Sequence, residues 1–295
     1  MMTELPLEQV RTLLAVVDEG TFDAAAAALH VTPSAVSQRV KALEQRTGRV
    51  LLQRTKPVRP TESGAVLVRF ARQLARLERD ARGELGLSGA GEPTRVSVAV
   101  NADSLATWFL PALPRLAGIC FELHREDEDH TAALLREGLV MAAVTSSAEP
   151  VPGCTVRPLG RMRYLPVAAP EFTRDRLDGR PLRDALSEAP VVAFDRKDDF
   201  QDGFVRRLGG VSAGSSRHLV PTSEGFVAAV AAGLGWGMVP EAQAGPLLDE
   251  GRLVLLDPRE WVDVTLHWQQ WRLDSPALAA LADAVAETAA RALRR

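Results

Sequence analysis

Four residues near the N-terminus combine hydrogen-bonding side chains with the spacing of one helical face: Ser34, Ser37, Gln38 and Lys41. Serine and glutamine are short, so a helix that carries them can lie close against another surface. A glutamine can pair with adenine in the major groove of DNA, and a serine can contact bases or phosphates. An ordinary solvated face would carry mixed glutamate and lysine with longer side chains. The residue types therefore predict direct contact with the bases of duplex DNA.

The charge around this face favours a polyanion as the binding partner. Residues 32–60 contain seven basic residues and a single acidic one, Glu44. The whole chain has a net charge of −3, but residues 1–83 carry +4 and the remainder carries −7. A basic segment on an acidic chain indicates a local contact with phosphates, which weakens as salt is added. The expected DNA-binding residues are Thr32, Ser34, Ser37, Gln38, Arg39, Lys41, Arg54, Lys56 and Arg59.

Helical periodicity supplies the elements that would position these side chains. Helices are predicted over 7–19, 21–29 and 33–48, followed by a short basic hairpin over 51–61. Thr32 can cap the third helix, whose inner stripe is Val36, Val40 and Leu43. Two short helices joined by a tight turn, the second with an exposed polar face, are typical of a helix-turn-helix. With the hairpin, residues 1–60 are predicted to form a winged DNA-binding domain. A helix-turn-helix that contacts only protein is the alternative.

A long helix is predicted from Thr61 to about Leu87, and residues 61–88 are assigned to it as a linker. Its apolar residues recur every three and four positions, which is the spacing of a coiled-coil seam. A lone helix with such a seam is unstable in water, so we expect it to pair with a second copy of the chain. Packing on its own domain is the alternative. The expected dimerisation residues are Leu67, Phe70, Leu74 and Leu77. The arginines off this seam are Arg69, Arg72, Arg76, Arg79 and Arg82.

The segment SGAGEPT, at 88–94, has the composition of a flexible linker. From residue 95 onward strands and helices alternate, which is typical of parallel sheets covered by helices. A strand predicted at RYLPVAA (163–169) divides this region, and the chain returns to the first part near Val262. The prediction is a two-lobed α/β domain over 93–295, with lobe I at about 93–167 and 262–295 and lobe II at about 168–261.

Residues 7–64 resemble the N-terminal domain of LysR-type transcriptional regulators, through LEQVRTLLAVVDEGTFDAAAAALHVTPSAVSQRVKALEQRTG and RPTESG. The rest of the chain resembles the linker helix and two-lobed effector domain of that family, a domain related to periplasmic solute-binding proteins. VNADSLATWFLPAL (100–113), DHTAALLREGLVMAAVTS (129–146) and EGFVAAVAAGLGWGMVPE (224–241) resemble its ArgP/LysG branch. Other branches often carry Asp where this chain has Met141, which agrees with that subgroup.

The resemblance implies partners and an activity. It implies a transcriptional regulator that binds a double-stranded DNA operator as a dimer, with two dimers forming a tetramer through their effector domains. The ArgP/LysG branch implies a basic amino acid, lysine or arginine, as the effector, and an amino-acid exporter or metabolic gene as the target. RNA polymerase is a candidate further partner. The alternative is an architectural or replication-related DNA-binding protein that needs no effector.

A ligand held between two α/β lobes is expected at strand ends and near helix N-termini. Ser104 and the backbone amides around it suit an α-carboxylate, and the basic end of the ligand needs a carboxylate from the protein. Acidic residues and serines near helix starts also act simply as dipole-stabilising groups and caps. The expected effector-binding residues are Asn101, Asp103, Ser104, Thr145, Ser146, Asp195, Asp198, Ser223 and Glu224.

Catalysis is not expected. The five histidines have no metal-like spacing, and no GxSxG, P-loop or GxGxxG stands between a strand and a helix. Cys120 and Cys154 fit neither a disulfide framework nor a zinc site, so no cofactor or metal is expected. Without a signal peptide or a membrane-spanning stretch, the chain is expected in the cytoplasm with no membrane partner. A solute-binding protein or enzyme is disfavoured, because residues 1–60 would then have no role.

Overall fold

A computed structural model describes residues 5–85, 94–125 and 128–295. The N-terminal unit consists of α1 (Leu7–Glu19), α2 (Phe22–Ala28) and α3 (Pro33–Thr47). Thr21 and Thr32 cap α2 and α3, because their side chains accept hydrogen bonds from Ala24 N at 3.1 Å and Ala35 N at 3.2 Å. His30 takes a φ of 55° in the turn before α3, a left-handed conformation that lets the two helices turn sharply. The helix-turn-helix is therefore present as predicted.

A short wing follows α3. Strands β1 (Leu52–Gln53) and β2 (Arg59–Pro60) pair antiparallel, in agreement with the predicted hairpin. The next helix begins so close to the wing that a Cβ at Gly64 would lie 1.9 Å from Leu51 O. Only glycine fits at that position without moving backbone, so the wing and the long helix are fixed against one another.

The long helix α4 (Glu62–Glu84) leaves two of the four predicted seam residues exposed, Phe70 (37%) and Leu77 (42%). Leu67 is only 9% exposed and packs into the core of the N-terminal unit with Val68 and Ala71. Val66, which is 53% exposed, joins Phe70 and Leu77 on the apolar face that solvent reaches. The assignment of Leu67 to a dimer seam is therefore wrong, because its side chain packs against the N-terminal unit of its own chain. Leu74 is half-buried. Most of the predicted linker at 88–94 lies outside the described residues.

The C-terminal domain is a mixed, not a parallel, α/β structure. Its strands are β3 (Thr94–Val100), β4 (Ile119–Arg125), β5 (Ala142–Thr145), β6 (Cys154–Ala168), β7 (Val191–Ala193), β8 (Arg217–Leu219), β9 (Gly237–Pro240), β10 (Val254–Leu255) and β11 (Val262–Trp271). Seven of these described strands form one sheet in the order β10-β6-β11-β5-β3-β4, with β9 also on β6, and β7 pairs separately with β8. β3 is parallel to β4 and β5, whereas all pairings of β6 and β11 are antiparallel. The prediction of parallel sheets holds for β3, β4 and β5 and is wrong for the pairings of β6 and β11.

Strands β6 and β11 run side by side through both halves of the domain. We call the half built on β3, β4 and β5 lobe I and the half built on β7 to β10 lobe II. The sequence predicts only 163–169 as a strand here, because Pro158 and Gly160 interrupt the β pattern of the segment before it. The predicted lobe boundary near 167 falls inside β6, so the two lobes share continuous strands rather than a loop.

Helices cover both lobes. In lobe I, α5 (Ala102–Ser104) continues into a π-helical turn (Leu105–Phe109) and a 3₁₀ turn (Leu110–Arg115), and the other helices are α6 (Glu128–Glu137) and α12 (Pro276–Ala292). In lobe II they are α7 (Pro170–Arg176), α8 (Leu182–Glu188), α9 (Phe200–Arg207), α10 (Ser223–Ala231) and α11 (Glu241–Asp249). α12 returns to lobe I and packs on the segment 105–115. Among the described residues, the helices fall short of the length and apolarity that crossing a bilayer requires.

Candidate DNA-binding surface and effector cavity

The polar face of α3 points away from the protein. Ser34, Ser37, Gln38 and Lys41 are all exposed, as is the capping residue Thr32. The opposite stripe of the same helix, Val36, Val40 and Leu43, is buried in the core. A convex helix surface with donors and acceptors on short side chains can enter the major groove and reach base edges. The arrangement agrees with the DNA contacts predicted for this helix.

The wing carries the exposed basic residues expected beside α3. Arg54, Lys56 and Arg59 are all exposed on or between its two strands. The guanidinium of Arg54 lies 5.8 Å from the centre of the Phe22 ring, a distance that allows a cation–π contact and limits where the side chain can point. The three charges can reach phosphates on either side of a helix seated in the groove.

Arg39 differs from the other predicted phosphate contacts because it already has an acidic partner. Its Nη2 atom lies 2.6 Å from Glu8 Oε1 of α1, so a phosphate would have to share or displace that carboxylate. Glu44, the single acidic residue of segment 32–60, instead accepts a hydrogen bond from Leu51 N at 2.9 Å. Its charge therefore serves to hold the start of the wing.

A cavity of about 290 Å³ lies between the two lobes and contains most of the predicted effector residues. Asn101 and Asp103 reach it from lobe I, and Asp195, Asp198 and Ser223 reach it from lobe II. This volume is near the lower end of the range for small-molecule sites, about 300–1,000 Å³, and suits a ligand of amino-acid size. Five of the nine predicted effector residues, from both lobes, therefore line one cavity, and their contact with an effector stays a prediction.

Four predicted effector residues lie elsewhere. Ser104 is fully buried, and Glu224 borders a neighbouring cavity. Successive residues of a helix point about 100° apart, and the cavity-facing positions are those of the preceding residues, Asp103 and Ser223. Thr145 is 2% exposed, and its Oγ1 accepts a hydrogen bond from Ser147 N at 3.1 Å. Ser146, which follows it, does not line the cavity. These four assignments are corrected.

The sequence did not reveal the aromatic and amide residues of the cavity. The additional lining residues are Ala102, Tyr164, Phe194, Lys197, Asp199, Phe200, Gln201, Phe226, Met238 and Pro240. Tyr164 carries the one signal that could have been used, since it is the only tyrosine of the chain. It reaches the cavity from the part of β6 that the sequence predicts as a strand (163–169), but that prediction did not indicate which way the side chain points.

Asp103 joins elements of the two lobes through its carboxylate. Ser223 Oγ, at the start of α10, donates to Asp103 Oδ1 at 2.6 Å, and Tyr164 Oη, on β6, donates to Oδ2 at 2.8 Å. Burial raises the pKa of the Asp103 carboxyl above its usual value, the two hydrogen bonds oppose that rise, and the charge of Glu224 adds to it. Burial therefore disfavours the ionised form of the Asp103 carboxylate, and a cation beside it would favour that form.

Asp198 organises the loop on the other side of the cavity. Its oxygens accept hydrogen bonds from Phe194 N at 2.7 Å, Phe200 N at 3.1 Å and Gln201 Nε2 at 3.2 Å. Burial raises the pKa of this carboxyl, the same three bonds lower it, and Asp195 raises it further. Asp198 is thus engaged by its own loop, and its role is to shape the cavity as much as to meet a ligand.

The cavity is more acidic than basic. Four carboxylates, Asp103, Asp195, Asp198 and Asp199, line it together with a single cation, Lys197. In the described part of the chain, the carboxamide oxygens of Asn101 and Gln201 are buried without a hydrogen-bond partner. A cationic ligand matches the surplus of negative charge on the lining carboxylates. No group of three His, Cys, Asp or Glu suited to a metal ion occurs among the described residues.

Two family models match the chain and together span most of it. The first, described as a bacterial regulatory helix-turn-helix protein of the lysR family, matches residues 7–65, and the second, the LysR substrate binding domain, matches residues 89–290. The chain belongs to the LysR family of bacterial transcriptional regulators. This DNA-binding regulator therefore has the winged helix-turn-helix and two-lobed domain that the resemblance implied, and the rival assignment to a solute-binding protein is excluded.

Relatives place this LysR-type regulator in the ArgP/LysG branch, as predicted. The lysine export transcriptional regulatory protein LysG of Corynebacterium glutamicum is 45% identical over 292 residues, covering 97% of this chain and 98% of its own. The crystal structure of ArgP from Mycobacterium tuberculosis has a TM-score of 0.92 at 48% identity, covering 97% of this chain and 98% of that one. Full-length LysG from C. glutamicum with the effector Arg bound has a TM-score of 0.86 at 44% identity, covering 98% and 100%.

Proposed function

We propose that this LysR-type regulator binds a basic amino acid, arginine or lysine, in the cavity between its lobes and alters transcription in response. The observation that carries the proposal is the cavity itself: four carboxylates and a single lysine line a space of about 290 Å³. The C. glutamicum relative with Arg bound supports the same class of effector.

The two ends of such a ligand have different partners. Asp195 Oδ1 accepts hydrogen bonds from the backbone of Lys197 at 2.7 Å and Asp198 at 3.0 Å, which leaves its second oxygen for the cationic end. Asp103 supplies a second carboxylate from the opposite lobe. The α-carboxylate belongs at the start of α5, where the first backbone amides of the helical segment 102–115 lack intrahelical acceptors.

On DNA, α3 occupies the major groove and the wing contacts the flanking phosphates. Two chains pair through the exposed apolar face of α4 formed by Val66, Phe70 and Leu77, and two such dimers form a tetramer. Dimer symmetry requires a near-palindromic operator whose half-sites are read by the two copies of α3. The regulator acts in the cytoplasm and has no catalytic role. It contacts RNA polymerase at the promoter of the gene that it controls. The name of the C. glutamicum relative favours an amino-acid export gene as the target.

Calorimetry and footprinting test these statements together. Titration of the full chain with arginine, lysine and citrulline, the neutral isostere of arginine, should give binding for the first two only. DNase I footprinting of genomic DNA fragments that the protein retains should show a protected site whose pattern changes with the basic amino acid. A protein that binds DNA but neither amino acid would instead support the effector-independent alternative, which the acidic cavity disfavours.

A further inference from the structure

Three arginines of α4 dock the helix onto lobe I. Arg69, Arg72 and Arg76 are spaced by three and four residues and therefore share one face of the helix. That face is distinct from the one buried in the N-terminal unit and from the exposed apolar face of Val66, Phe70 and Leu77. α4 thus has three contact surfaces, and the arginine face connects the DNA-binding unit to the effector domain.

Arg76 is the most buried member of this face, at 2% exposure. Its Nε donates to Asp80 Oδ2 at 3.0 Å, its Nη1 donates to Arg95 O at 3.0 Å, and its Nη2 lies 3.3 Å from Ser275 Oγ. A guanidinium removed from water in this way persists only where its donors are met by acceptors in fixed positions. Arg76 therefore holds α4 to two separate segments of lobe I.

The neighbouring arginines extend the contact along α6. Arg72 Nη1 donates to Glu137 O at 3.1 Å while its Nη2 donates to Asp18 Oδ1 of α1, so one side chain joins the DNA-binding unit to lobe I. Carbonyls at a helix C-terminus lack intrahelical donors and favour a cation there. The backbones approach closely at Gly138, where a Cβ would lie 2.9 Å from Arg69 Cα.

Both segments held by Arg76 lead directly to the effector cavity. Arg95 lies in β3, the strand that ends immediately before Asn101 and Asp103. Ser275 begins α12, which packs on the helical segment 105–115 that follows Asp103. A shift of the cavity-lining segment 101–103 therefore moves structure that is bonded to α4.

We propose that Arg76 is a positioning residue that fixes the angle of α4 on lobe I and transmits the effector-dependent change from the cavity to the DNA-binding unit. The proposal rests on the proposed function of the cavity. The joint between the two domains is the contact that Arg69, Arg72 and Arg76 make between α4 and lobe I. Arg76 itself contacts neither the effector nor DNA.

Substitution of Arg76 separates transmission from binding. In the full-length regulator, Arg76→Met should leave the Kd for arginine within about threefold of wild type by calorimetry. The effector-dependent change in operator affinity, measured by fluorescence anisotropy, should fall at least fivefold. Arg79→Met, at an exposed position one turn away on the same helix, is the matched control and should respond as wild type does. Arg76→Lys should show an intermediate response, since one ammonium cannot reach all three acceptors.

A glycine pair tests the joint without changing any charge. Gly138 and Gly118 have φ values of +73° and +75°, but a Cβ at Gly118 would meet nothing within 4 Å. Both alanine variants therefore carry the same backbone strain, and only Gly138→Ala pushes against α4. We expect Gly138→Ala to lose the effector response and to speed hydrogen exchange in β3 and at the end of α6, whereas Gly118→Ala should do neither.

The outcomes distinguish this proposal from the one it rests on. If wild type binds neither basic amino acid, the proposed function is refuted by that measurement alone. If wild type binds and responds, three results would each overturn the role of Arg76 in transmission. These are a full response in Arg76→Met, a loss of effector binding in Arg76→Met, and equal behaviour of the two glycine variants. Should Arg76→Met melt below the assay temperature, Arg76→Lys and the glycine pair decide the question.

Discussion

Replacing the Asp103 carboxylate with a carboxamide should weaken effector binding without unfolding the domain. In the structure Asp103 accepts bonds of 2.6 and 2.8 Å from Ser223 and Tyr164. In Asp103→Asn the negative charge is lost, and with it a charge-assisted hydrogen bond to a cationic ligand, while the remaining oxygen and the amide nitrogen stay beside the Ser223 and Tyr164 hydroxyls. A hydrogen bond to a charged group contributes about 1.5–3 kcal/mol. The Kd for arginine should therefore rise about 10- to 100-fold.

The pH dependence of binding gives an independent check with a defined sign. Burial raises the pKa of Asp103, and a bound cation lowers it again, so effector binding releases a proton from this group. The affinity of wild type for arginine should consequently fall as the pH is lowered through the pKa of Asp103, and the profile of Asp103→Asn should be flatter. Because burial disfavours the ionised carboxylate, the melting temperature of Asp103→Asn at neutral pH, without added amino acid, should be no lower than that of wild type.

Calorimetry from pH 5 to 8 measures both effects. Asp283→Asn is the control, since Asp283 is an acidic residue on the exposed surface of α12, 3.5 Å from Arg157. The reasoning fails if Asp103→Asn binds arginine as tightly as wild type with an unchanged pH profile. In that case Asp195 would carry the cationic end alone.

Three further predictions concern the DNA-binding unit and α4. Gln38→Ala should lose discrimination between operator and random DNA in a competition gel shift, whereas Arg54→Ala should weaken binding to all sequences alike; unchanged footprints in both would refute these roles. Phe70→Asp should shift the protein to monomer in analytical ultracentrifugation. Leu67→Ala should instead reduce the free energy of unfolding, measured in urea, by about 2–5 kcal/mol. If Leu67→Ala produced monomer and Phe70→Asp did not, Leu67 would belong to the dimer seam. Gly64→Ala should destabilise the protein by about 1–3 kcal/mol, seen as a lower melting temperature, because its Cβ would meet Leu51 O.

The DNA-binding unit could be predicted closely because its signals are local. The caps at Thr21 and Thr32 and the apolar stripe on α3 are read within a few residues of sequence. The apolar face of α4 was misjudged by one position, since residues 66 and 67 both fit helical periodicity. The choice between them depends on the close approach at Gly64, which is a tertiary contact.

The effector cavity could be predicted only at the strand ends. Asn101, Asp103 and Ser223 stand where a strand gives way to a helix, a position that sequence identifies. Gln201 enters from the first turn of α9, where its amide nitrogen is held by Val192 O and Asp198. Tyr164 enters from β6, and its position depends on the antiparallel course of β6 beside β11. That pairing joins residues about a hundred positions apart, which local patterns do not specify.

The length of α4 converts small rotations into distances that matter on DNA. Its 23 residues, at about 1.5 Å each, make a rod of roughly 34 Å. The N-terminal end of the rod lies 14 residues, about 21 Å, from Arg76, so a tilt of about 9° about Arg76 displaces that end by about 3.3 Å, close to the roughly 3.4 Å between successive base pairs. A rotation too small to alter the shape of the two lobes visibly is therefore large enough to move α3 from one base pair to the next.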